Sequence, residues 1–154
     1  MPSGNYTCAI AIQAKAFLQA YETLNDSLLE KMRQGDFELA PIIVPAMTCV
    51  AFAAELAMKA LIVQIKSGEL TALPKNKNGG GIHNLDDLFN EVSTPLQQAI
   101  ARELNKSVAD VERKLRENED AFVKWRYSFE NGAMGDEEFL LKFVNAALAQ
   151  VRIA

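Results

Sequence analysis

The stretch AMTCVAFAAELAMKALIVQIK, residues 46 to 66, is apolar nearly all round when wound into a helix. Such a helix has no face to give to water, so the rest of the chain has to surround it. Proline is tolerated in the first turn of a helix but costs about 3 kcal/mol in its interior, and glycine favours the end. Pro45 and Gly68 therefore bracket a central helix, expected from near Pro45 to Ser67. The most apolar run, Pro41 to Ala54, is soon followed by Glu55 and Lys59, so it reads as buried core and no membrane partner is expected.

Helical patterns fill both sides of this segment. Ile10, Ala14, Phe17, Tyr21, Leu24 and Leu28 recur at intervals of four and three, which marks a long helix stopped by Gly35. The loop LPKNKNGGG, residues 73 to 81, has turn formers, two lysines and no apolar periodicity, and is expected to be mobile. Asn84 can cap the short helix NLDDLFNEV, with Asp86 and Asp87 at the positive end of its dipole. TPLQ, residues 94 to 97, reads as a capping box with Thr94 at the cap, Pro95 at the first helical position and Gln97 at the third. Ser107 opens a helix in which Val108, Val111, Leu115, Phe122, Trp125 and Phe129 keep a three-four spacing, broken only at Asn118 and ended by Gly132. Asp136 caps a last helix with Glu137 and Glu138 in its first turn and Phe139, Phe143, Ala146 and Ala147 inward, to about Arg152. No segment reads as a strand. The expected fold is an all-α, up-and-down bundle of about five to six helices, a single domain over residues 1–154.

Composition limits the chemistry. A net charge of -4 and an isoelectric point near 5.1 argue against strong non-specific affinity for phosphate backbones, so any nucleic-acid contact has to be local. Cys8 and Cys49 stand apart and the N-terminus lacks the succession of a secretion signal, which points to a reduced, cytoplasmic protein. With His83 as the only histidine, no zinc spacing and no Glu-x-x-His pair exists, so neither metal nor cofactor is expected. The GGG run is not followed by Lys-Ser or Lys-Thr and lacks the grip of a phosphate-binding Walker loop.

Two constellations remain. FVKWRYSFE, residues 122 to 130, holds four of the chain's twelve aromatic residues. At about 100° per residue, Phe122, Trp125 and Phe129 share a sector of roughly 60° and belong to the core. Arg126 sits on the shoulder of that stripe one turn before Glu130, either as a surface ion pair or as a ligand-binding pair. Tyr127 projects the other way beside Lys124, where a large aromatic suits an interface. On the central helix, Thr48, Glu55, Lys59 and Lys66 fall within roughly 40° of one another and form a narrow polar stripe. A Glu–Lys pair on such a helix has to be paired, since a lone buried charge costs several kcal/mol. His83 either ties a loop to a helix end or serves as a general base.

The order ELAMKALIVQIKSG, IHNLDDLFNEV, FVKWRYSFE resembles the HEPN superfamily of small α-helical domains over roughly residues 8 to 150. The elements that carry the likeness are the E-L-x-x-K-x-L-x run from Glu55 to Ile62, the H-x-L-x-x-L entry from His83 to Leu88, and the Arg126–Tyr127 pair. The resemblance implies an up-and-down bundle, usually a homodimer, in a family tied to nucleotide or RNA binding, RNA cleavage, toxin–antitoxin pairs and phage defence. The cleaving members of that family carry a histidine after the arginine with four to six residues between them, placed so that two copies complete one site. After Arg126 this chain has YSFENGAMGDEE and no later histidine, so the nuclease is not carried over.

The expected function is therefore a non-catalytic, HEPN-like dimer that binds a nucleotide, RNA or a partner protein such as a nucleotidyltransferase, through a polar cleft bearing Glu55, Lys59, His83, Arg126 and Glu130, with Tyr127 and Lys124 at an interface. Two alternatives stay open: a ribonuclease or nucleotidyl-modifying enzyme using His83 and Arg126, and a pure protein-interaction subunit.

Overall fold

The computed structural model describes residues 5–118 and 136–152. Among these, six helices appear: α1 (Tyr6–Arg33), α2 (Ala40–Ile65), α3 (Leu85–Glu91), α4 (Thr94–Glu103), α5 (Val108–Glu117) and α6 (Glu137–Ala149). No strand occurs among the described residues, and the fold is an all-α helical bundle.

The apolar helix takes the central place its composition demands. α1 and α2 pair along their length as an antiparallel hairpin, and α3 and α6 pack on the remaining faces of α2. Ala53, Ala54, Ala57 and Ala60 are all fully buried, as is Ala14 on α1, and side chains this small let the helix backbones approach closely. α2 is long and apolar enough to cross a membrane, but 78% of its most apolar window is buried inside the bundle. One continuous core draws on every helix, from Tyr21 on α1 through Leu61, Phe89, Ile100 and Leu115 to Phe143 on α6. Phe143 is its aromatic hub, with Phe89 edge-on at 6.1 Å and Phe139 at 5.9 Å.

Caps fix most helix starts. Asn5, Asn84, Ser107 and Asp136 each accept a first-turn N–H, from Thr7, Asp87, Asp110 and Phe139 respectively. Three expectations are corrected. α2 begins at Ala40, not Pro45, so Pro45 lies inside the helix; Pro41 takes the early position, and the burial of Ala46, Met47 and Val50 just beyond outweighs the one backbone bond that Pro45 cannot make. The TPLQ box does not form. Ser93 is the N-cap without a side-chain bond, and Gln97 spends its amide on the Phe89 carbonyl at 2.7 Å, tying α4 to the end of α3. α5 ends at Glu117, at the one break in its apolar pattern, where Asn118 forms the C-cap.

Asn118 is 3% exposed and acts as a clamp: its amide donates to the Lys114 carbonyl at 2.9 Å, and its carbonyl accepts the Asp136 N–H at 2.9 Å. Lys114 also donates to the Asp136 carboxylate at 2.7 Å, and that hydrogen bond holds Asp136 below the usual carboxyl range. At the other end of the bundle, α2 closes on Gly68 at φ +81°; a Cβ there would stand 2.5 Å from Asn5 Oδ1 and 3.0 Å from Asn5 Cα. Glycine alone allows that approach, and the Gly68 carbonyl accepts the Tyr6 N–H at 3.0 Å, fastening the start of α1 to the end of α2.

Candidate functional site

The sequence-predicted residues Glu55, Lys59 and His83 meet at one point. Glu55 lies midway along α2 and is 1% exposed. Its Oε1 accepts Lys59 Nζ at 2.6 Å, one helical turn further on, and His83 Nδ1 at 2.7 Å, from the segment that leads into α3. The Lys59 side chain is 15% exposed, whereas that of His83 is 56% exposed. A carboxylate this deep requires a counter-charge, and Lys59 supplies it from the same helix face. The second oxygen, Oε2, is buried and has no hydrogen-bond partner among the described residues. Thr48 and Lys66 do not join the cluster: the Thr48 hydroxyl donates to the Val44 carbonyl at 2.9 Å, and Lys66 is the exposed C-cap of α2.

The arrangement sets the chemistry of His83. A carboxylate only accepts, so Nδ1 carries the proton of that hydrogen bond. In the neutral ring Nε2 is then a lone pair directed to the exposed side; in the imidazolium it is a second donor. Either way, a buried acid fixes the orientation of a surface imidazole.

The chain before His83 is more ordered than its composition implies. Residues 73 to 81, expected as a mobile loop, form a tight hairpin-like turn. Asn76 Oδ1 accepts the N–H groups of Asn78 at 3.0 Å and Gly80 at 2.9 Å, the Asn76 N–H donates to the Gly80 carbonyl at 2.8 Å, and Lys75 and Gly81 form an isolated antiparallel bridge. The signal is local to NKNGG, where an asparagine side chain can close a turn on its own backbone.

Arg126, Glu130, Tyr127 and Lys124 lie outside the described residues, as do Phe122, Trp125 and Phe129. A cleft of about 250 Å³, lined by Leu104, Lys106, Lys114, Asp136, Phe139 and Lys142 among others, contains none of the predicted site residues. Two of its three lysines are matched, Lys114 with Asp136 and Lys142 with Glu138 at 2.8 Å, and those pairs belong to the α5–α6 clamp. Two other polar contacts are structural. Tyr21, 2% exposed, donates its hydroxyl to Glu137, and burial followed by that acceptor pushes its pKa above the usual tyrosine value. Arg116 Nε meets Asp86 Oδ2 at 3.1 Å and joins α5 to α3. Cys8 and Cys49 are free thiols, and burial pushes that of Cys49 up.

Comparison of the chain with protein-family models, with curated proteins and with solved structures finds no match. The class that the fold defines is thus a small all-α bundle with a buried Glu–Lys pair presenting a single surface histidine.

Proposed function

We propose that this protein is a HEPN-like, non-cleaving binding module that takes a nucleotide or RNA segment at the Glu55–Lys59–His83 cluster, as a homodimer in the cytoplasm and in a toxin–antitoxin or phage-defence setting. The observation that carries the binding reading is the His83 imidazole, more than half exposed yet held by a carboxylate that is 1% exposed. A histidine recruited only to tie a loop to a helix end has no need of a buried acid beneath it. The chain order of the three HEPN-like elements supports the dimer and the ligand class, and an adjoining protein such as a nucleotidyltransferase is the partner that this reading favours.

Purified protein is expected to bind labelled single-stranded RNA or a nucleotide in an anisotropy titration, with His83→Ala weakening binding about tenfold, equivalent to about 1.4 kcal/mol. It is not expected to cleave the RNA, with or without added metal. The same Glu55–His83 geometry favours one rival: a carboxylate-oriented imidazole is also the form of a general base. RNA cleavage that disappears in His83→Ala and persists in Lys15→Ala would replace the binding module with that enzyme, and absence of any binding would remove both.

A further inference from the structure

The hairpin turn ahead of His83 brings a second positive group to the exposed edge of the imidazole. In an antiparallel bridge, residues directly opposite one another project their side chains from the same face. Lys75 and Gly81 are such a pair. The face is fixed by what Gly81 would meet: a Cβ built there stands 3.8 Å from His83 Nε2 and 4.0 Å from Cε1. Residues 81 and 83, two apart along an extended segment, share that face as well. The Lys75 side chain therefore leaves the turn on the face that Gly81 turns to the Nε2 edge of His83, and the missing side chain at Gly81 leaves that side of the ring uncovered.

The charges at this edge are unbalanced in one direction. Glu55 is neutralised by Lys59 beneath the ring, at 2.6 Å, so the buried carboxylate does not repel an anion above it. Lys75 is exposed and has no ion-pair partner among the described residues. With His83 as an imidazolium, Nδ1 donates inward to Glu55 while Nε2 donates outward. Two cationic donors then flank the space over Gly81, where His83 is the only side chain within 4 Å of a Cβ built at that position among the described residues.

We infer that Lys75 and His83 Nε2 form an oxyanion site, spaced across Gly81, that grips a phosphate group of the ligand. The inference rests on the binding reading above and names which atoms recognise the ligand and which chemical group they take. A phosphate oxygen accepts from Nε2–H and from Lys75 Nζ–H, both charge-assisted bonds. The phosphate belongs either to a nucleic-acid backbone or to a free phosphate or phosphate monoester, and the two sources are separable by experiment.

Because His83 is the only histidine, its ring protons give one unambiguous pair of NMR signals in the intact protein. Those signals are followed in two titrations at matched ionic strength, one with inorganic phosphate and one with a short single-stranded RNA. Saturable movement with phosphate assigns the site to a free or terminal phosphate, and movement with RNA alone assigns it to the backbone. In either arm Lys75→Ala is expected to weaken the response about fivefold or more, whereas Lys77→Ala, at the exposed tip of the same turn, leaves it within about twofold. Gly81→Val keeps every charge but fills the gap, and is expected to abolish the response while circular dichroism stays unchanged. RNA that binds wild type and Lys75→Ala equally, or a Lys77→Ala loss as large as that of Lys75→Ala, overturns this site and leaves the binding module standing. Failure of both ligands to bind by any readout overturns the two together.

Discussion

Lys59→Ala is expected to destabilise the bundle by about 3 kcal/mol, a loss typical of removing one partner from a buried ion pair. Glu55 is 1% exposed, and its Oε2 has no hydrogen-bond partner among the described residues. Among the described residues, loss of Lys59 leaves the carboxylate one hydrogen bond, from His83, which is itself 56% exposed to water. Part of any loss would come from the Lys59 stem packing along α2, and Lys59→Met isolates that part by keeping an unbranched apolar chain without the charge. Urea unfolding should place Lys59→Met close to Lys59→Ala if the charge dominates. A loss below about 0.5 kcal/mol in both, as for exposed pairs, would show that Glu55 is solvated and that the cluster has no buried acid at its base.

Phe143→Ala is expected to destabilise the bundle by about 3 to 5 kcal/mol. Phe143 is fully buried and stands between Phe89 on α3 and Phe139 on its own helix. Its removal takes away both ring contacts and leaves a cavity where α2, α3 and α6 converge, in a core too closely packed to collapse freely. The conservative Phe143→Leu should cost less than half as much. Equal stability of wild type and Phe143→Ala in a urea melt would mean that α6 does not seat on α2 and α3 as described.

The fold was legible where a residue's local chemistry and its tertiary role coincide. Asn84, Ser107 and Asp136 are good caps in any context, and each caps the helix it announces. The apolar circumference of α2 leaves only a central position for it. Reading failed where a side chain had two possible uses. Gln97 satisfies the pattern of a capping box, yet a carbonyl eight residues back takes its amide. Pro45 resembles a helix start, but Pro41 had already supplied one, and Leu39 at the true cap carries no side-chain signal. Asn118 interrupts an apolar repeat by a single residue, which on sequence alone is a tolerated defect and in the fold is a helix end bound to Asp136.

The site was half legible. Helical spacing places Lys59 on Glu55, because four residues make one turn. No periodicity places His83 there, 28 residues away from Glu55; only the order of HEPN-like elements suggested a common cleft. The turn at residues 75 to 81 was hidden because it depends on Asn76 bonding its own backbone, a use of asparagine that competes with simple loop behaviour.

The orientation of His83 is the central feature of the proposed site, and nitrogen-correlated NMR of its ring measures it. With the ring neutral, the bond to Glu55 predicts the tautomer with hydrogen on Nδ1 and a bare Nε2, together with a slowly exchanging Nδ1 proton shifted far downfield. A ring with hydrogen on Nε2 and an unshifted, rapidly exchanging spectrum, unchanged in Glu55→Gln, would contradict it.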